Sequence, residues 1–241
     1  MLTVVIAMLL AQPQGCGGNG KALIATAQVR ADAFDLSGAA DAFASAAAAS
    51  CNEARLPAVY LRALVAAREA YRFGGSTESI ASVERALAEL DTEPLRSAGE
   101  TPIVRFVLQA AIAASQSERE EVALLIEYAV DLEAQRRAAG LSGAPVVAAV
   151  EVAGDLWLQV HRYEDARRAY VRAAERLGRT PRVVLGLARS AARLSDWTAA
   201  CIEYKALIAA SRSAAQSAPE IVEAQTLLRD PMCLARQQTT P

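Results

Sequence analysis

Two stretches of this chain align without a gap at a spacing of 34 residues, and this repeat restricts the fold more than any other feature. One reads VEVAGDLWLQVHRYEDARRAYVRAAERLG from Val150, the other VLGLARSAARLSDWTAACIEYKALIAA from Val184. Gly154 matches Ala188, Tyr163 matches Trp197, Ala166 matches Ala200 and Tyr170 matches Tyr204. Short turns, His161-Arg162-Tyr163-Glu164 and Leu194-Ser195-Asp196-Trp197, divide each unit into two helical patterns. Antiparallel helices pack closely only where a small residue sits at their crossing. Gly154 and Ala166 supply it in one unit, Ala188 and Ala200 in the next. The rings of Tyr170 and Tyr204 are then expected to fill the gap toward the following unit, and Asp196 is placed as a helix N-cap.

Composition agrees with close helix packing. Apolar residues make up 53% of the chain but aromatics only 5%, and 55 residues are alanine. Alanine is the strongest helix former and the smallest residue that still covers backbone, and such a set makes poor strands. Weaker units lie upstream. Lys21 to Ala33 with Asp35 to Ala46, Val59 to Tyr71 with Ser79 to Leu90, and Pro102 to Ser115 with Ser117 to Ala138 each read as a hairpin. Ala67 is the crossing residue of the second, and residues 92–101 and 140–145 read as loops. Pro219 to Gln237 reads as one amphipathic capping helix.

The period, the small crossing residues, the turn aromatic followed by alanine and the late Tyr-x-x-Ala (Tyr170, Ala173) resemble the tetratricopeptide repeat, best over residues 147–212. Two departures stand out: the closing proline is displaced to Pro181, and Leu207 replaces the small residue of the last Tyr-x-x-Ala. The resemblance implies an all-α, right-handed α-solenoid over residues 16–241, of about five antiparallel hairpins plus a capping helix. It further implies a concave groove, lined by the first helix of each hairpin, that holds another protein or peptide. Matching positions place Leu64, Arg68, Tyr71 and Arg72 in that groove, then Glu151, Asp155, Leu158 and Gln159, then Leu185, Arg189, Ala192 and Arg193. Arg68 with Arg72 and Arg189 with Arg193 are i,i+4 pairs of like charge, each on one helical face. They hint at an anionic partner; the alternative is that they are solvated or paired with Glu69 and Asp196. The lysine- and asparagine-based carboxylate clamp of some members is not matched.

The N-terminus points to export. Leu2 to Leu10 is an unbroken apolar run, too short to span a bilayer but suited to a signal peptide, here residues 1–15, although no positive residue precedes it. The same run read as a buried first helix is the alternative. The stretch Gly15 to Gly20 that follows is expected to break any helix. Four cysteines in an exported chain suggest disulfides, and their order suggests Cys16 with Cys51 and Cys201 with Cys233. A rival reading makes Cys16 a lipid-anchored terminus, which would leave Cys51 without its local partner. The chain is thus expected to be periplasmic or secreted, and at a membrane only if Cys16 is lipidated.

The search for chemistry is largely negative. His161 is the only histidine and lies in a turn, so neither a metal site nor a catalytic histidine is expected. No phosphate-binding glycine loop, nucleophile elbow or cofactor motif occurs. A net charge of −2 without a basic run excludes a nucleic-acid footprint. Glu118, Glu120 and Glu121 fit favourable charge at a helix start. The expected function is a non-enzymatic scaffold or adaptor of the bacterial cell envelope; an alternative is an accessory lipoprotein of outer-membrane assembly. An α-helical enzyme is a third reading, for which Glu151 and Asp155 are the one close acidic pair on an inner face. Burial of both in one closed pocket would favour the enzyme, and a groove open along its length would exclude it.

Overall fold

The alanine-rich periodic segments form helices throughout a computed structural model that describes residues 16–72, 76–141, 145–211 and 218–237. The expected signal segment, residues 1–15, lies outside these, as does the Gly74-Gly75 break. Five hairpins follow one another: α1 (Gly18–Asp32) with α2 (Leu36–Ala48), α3 (Arg55–Arg72) with α4 (Thr77–Glu89), α5 (Thr101–Ser115) with α6 (Arg119–Ala138), α7 (Ala149–Gln159) with α8 (Tyr163–Leu177), and α9 (Pro181–Arg193) with α10 (Trp197–Ala210). Helices α11 (Pro219–Leu228) and α12 (Pro231–Gln237) close the stack. Partners within each hairpin pack on one another, and α3, α5, α7 and α9 also pack in series. The fold is an all-α solenoid of tetratricopeptide-like hairpins.

Four hairpins share one turn. Phe34, Ser117, His161 and Ser195 have φ of 68°, 63°, 60° and 62°. The next residue donates its N–H back to the last turn of the preceding helix: Asp35 to Arg30 at 3.0 Å, and Glu118 to Ala113, Arg162 to Trp157 and Asp196 to Ala191 at 2.9 Å each. This left-handed closure satisfies carbonyls that the helix end would otherwise orphan. Asp35 and Asp196 then cap the next helix, accepting from the Gly38 and Ala199 amides at 2.8 and 3.1 Å. The left-handed backbone costs an L-residue about 1–2 kcal/mol. Short polar side chains visit it most readily, so the bulky Phe34 is the unusual occupant.

The crossing residues behave as the repeat predicts: Ala166, Ala188 and Ala200 are fully buried, and so are the rings of Tyr170 and Tyr204. Tyr170 wedges between its own unit and the next. A Cβ at Gly154 would lie 2.5 Å from its ring, and one at Gly186 would overlap it as well.

Three expectations are corrected. The glycine stretch opens α1 at Gly18 rather than breaking a helix, because Gly20 lies against the Cys16–Cys51 disulfide, where a Cβ would meet the Cys16 sulfur at 2.7 Å. Pro181 does not close a repeat; it is the first residue of α9, where its missing N–H costs nothing, and Thr180 caps that helix through the Val183 amide at 3.3 Å. The single capping helix is two helices. Pro231 cannot continue α11 and begins α12, with Asp230 accepting from the Met232 amide at 2.8 Å.

Both cysteine pairs are joined as their order suggests, with Cα–Cα separations of 4.6 Å for Cys16–Cys51 and 5.7 Å for Cys201–Cys233, inside the usual range. The first disulfide engages the sulfur that a lipid thioether on Cys16 would need. Among the described residues, no helix is long and apolar enough to cross a membrane.

Candidate functional site

Helical spacing aims one side of α7, α9 and α11 at a common interior: Glu151 and Asp155 on α7, Arg182, Leu185 and Arg189 on α9, Glu220 and Glu223 on α11. Arg68 of α3 joins them. Arg68 Nη2 donates to Asp155 at 2.8 Å, and the Tyr170 hydroxyl donates to the other oxygen of the same carboxylate at 2.5 Å. Arg182 pairs with Glu151 and donates through Nη1 to the Ala31 carbonyl at 2.9 Å. Arg189 grips Glu223 with two hydrogen bonds, of 2.9 and 2.5 Å, and Tyr204 donates to the same carboxylate at 3.4 Å. Each arginine therefore meets an acid from another hairpin or from the cap.

The arginines that the sequence offers to an anionic partner are paired within the chain, though with other acids than the two nearby ones. Arg68 is held by Asp155 rather than Glu69, and Arg189 by Glu223, while Asp196 pairs with Arg167 at 3.5 Å. Leu64, Leu185 and Glu151 are buried outright. Leu158, Gln159 and Ala192 are half-buried. Tyr71 is 42% exposed, and Arg193 is exposed with its guanidinium 6.0 Å from the Tyr163 ring. The Arg72 side chain lies outside the described residues. Sequence reasoning missed Arg182 and Glu223. Arg182 sits one turn before Leu185 on the face already assigned, a signal that was readable; Glu223 belongs to the cap, and nothing local aims it at α9.

Burial governs the titration of this interior. It pushes the Glu151 carboxyl above the usual carboxylate value, against the pull of Arg182. It pushes the Tyr170 hydroxyl well up, and the Asp155 charge adds to that. Burial works against the charged forms of Arg68 and Arg189, yet Asp155 and Glu223 outweigh it and hold both above the ordinary arginine value. Glu133 of α6 is buried at the start of α7, where it accepts from the Ala149 amide at 2.6 Å and pairs with Arg137 at 3.1 Å; burial raises it too. Both glutamates hold a proton more tightly folded than unfolded. The stability this confers is full below the ordinary carboxylate value of about 4.3 and is lost as pH rises through the raised folded values. The contribution of these two groups to stability is therefore expected to grow as pH falls through their raised folded values toward about 4.3, so the melting temperature of wild type gains on that of Glu133→Gln in this range; equal pH profiles for the two proteins would refute this assignment.

Of the acidic pair, Glu151 is buried and Asp155 is half-buried. The cavity they line, with Phe34, Arg182 and Leu185, measures about 20 Å³, room for about one water and for no metabolite. Both carboxylates are engaged by arginines. On the other side of α8 an open recess of about 590 Å³ runs beside Glu127 of α6, with Trp157 and Val171 on its walls. Arg172–Glu127 and Arg168–Asp165 pairs cross part of its lining, which also carries Glu164 and Glu175.

Fold and site together define a helical hairpin-repeat protein whose inner face is closed by cross-hairpin ion pairs. No protein-family model matches the chain. No curated protein matches it. Among solved structures it is similar to the crystal structure of yeast Tom70, with a TM-score of 0.43 and 17% identity over 92% of this chain and 44% of that one. The chain thus spans less than half of that protein's length.

Proposed function

We propose that this chain is an exported, non-enzymatic interaction scaffold of the bacterial cell envelope, and that it binds an acidic peptide or partner helix on its inner face. The observation that supports this reading is the convergence of Arg68, Arg182 and Arg189, each paired with a carboxylate of another hairpin or of the cap, on one face formed by successive first helices. A partner carboxylate would reach Arg68 or Arg189 by replacing Asp155 or Glu223, whose side chains are partly exposed. The exposed Tyr71 and Arg193 offer the first contacts in this reading. The two disulfides support an oxidising compartment.

The test is to pan a random peptide library on the oxidised protein. Acidic sequences are expected to be enriched, and Arg193→Glu is expected to weaken them about tenfold, or about 1.4 kcal/mol. Enriched peptides that ignore Arg193→Glu and Tyr71→Ala but respond to Val171→Asp would move the binding surface to the outer recess.

A further inference from the structure

The contact on the inner face that the repeat does not require is made by the end of α1 and the turn after it. Arg182 reaches the Ala31 carbonyl across 151 residues of sequence, and Phe34 packs against the apolar cluster that holds Leu185, Ala188 and Ile221. Helices α1 and α2 pack extensively on each other and through α2 on α3, whereas α9 is met by this turn.

We infer that the α1–α2 turn, together with the last turn of α1, is a latch that shuts the inner face, acting as an internal ligand that a partner must displace. The inference rests on the reading of that face as a binding surface and adds how access to it is controlled.

Phe34 is the first argument. The equivalent turns carry serine or histidine at the same left-handed position, so the turn itself does not call for an aromatic ring. The ring's contacts lie on the far hairpin, which is what it serves. Arg182 is the second argument. After pairing with Glu151 it spends its remaining reach on a main-chain carbonyl, an acceptor that any peptide can supply. The third is mechanical. The Cys16–Cys51 disulfide and the packing of α2 on α3 anchor the first hairpin away from the inner face, so the hairpin can tilt its turn off α9 as a unit, with the turn's own hydrogen bonds kept. The latch also describes its competitor: a segment with an aromatic or large apolar side chain three residues after a carbonyl free to accept from Arg182.

The experiment uses the full oxidised chain with Phe34→Gly, which removes the ring at a position where glycine relieves the backbone. Phe34→Ser, copying Ser117 and Ser195, guards against a loss of fold, and circular dichroism and intact mass confirm helicity and both disulfides. Hydroxyl-radical labelling of Leu185, which is 4% exposed, is expected to rise at least threefold in both variants. A labelled, capped peptide spanning residues 27–40 of this chain is expected to bind the variants at least tenfold more tightly than wild type, and its Phe34→Ala version is expected not to bind. Unchanged labelling of Leu185 in both variants overturns the latch. Increased labelling without binding of the 27–40 peptide also overturns the latch; binding of that peptide by variants that bind no acidic library peptide leaves the latch standing and overturns the scaffold reading instead.

Discussion

Gly186→Ala is expected to destabilise the fold by about 1–3 kcal/mol, and Tyr170→Ala by about 3–5 kcal/mol. The sign of the first is the informative part. Glycine inside a helix normally costs about 0.5–1 kcal/mol relative to alanine, so this substitution would ordinarily stabilise α9. Here the added methyl would occupy space filled by the Tyr170 ring, which is itself 1% exposed and cannot swing out to solvent. The ring is pinned at its far end by the Asp155 carboxylate, so making room for the methyl also disturbs the Arg68–Asp155 pair. Urea unfolding measures both effects. Because the two side chains compete for one volume, their effects should not add: Gly186→Ala combined with Tyr170→Leu should lose less than the sum of the single changes. A Gly186→Ala protein as stable as wild type would mean that the ring does not wedge the two hairpins apart.

That wedge marks the boundary of what was legible. Gly154 was readable as a crossing residue because its match in the next unit is Ala188, and the repeat displays the same demand twice. Gly186 carries no such mark. It lies within an apolar helical run, and only the position of Tyr170 in the preceding hairpin makes it necessary. The same division runs through the inner face. Helical spacing placed Arg68 and Arg189 on the correct side of their helices, since that depends on residues three and four apart. It could not name Asp155 or Glu223, which lie 87 and 34 residues away; periodicity says which face turns inward, not which helix stands opposite. The break at Pro231 was within reach of local rules, because proline inside a helix removes a hydrogen bond and clashes with the preceding turn. The glycines that open α1 were not, because the close approach of the Cys16–Cys51 sulfurs to Gly20 depends on where Cys51 stands, further along the chain beyond α2.

Cys201→Ser with Cys233→Ser is expected to cost about 3–4 kcal/mol, the chain-entropy value for a loop of this size. The N-terminal pair closes a loop of nearly the same length, with separations of 35 and 32 residues. Because closure entropy varies only with the logarithm of loop length, an effect confined to the unfolded chain would be equal for both pairs. The native surroundings differ. The first hairpin retains α3 beneath it when its disulfide is lost. The cap has far less: α11 fully buries only Ile221 and Ala224 against the last hairpin, and α12 buries Cys233 itself. Glu223 rides on that helix, so a cap that lifts also strips Arg189 of its carboxylate. Leaving a largely buried charge unpaired adds to the loss. The C-terminal double variant is therefore expected to lose more stability than the N-terminal one, and with a smaller dependence of unfolding free energy on urea, since a native state without its cap has less surface left to expose. Equal losses with equal urea dependence would show that the cap stays docked without its disulfide and that α11 is held by its own contacts.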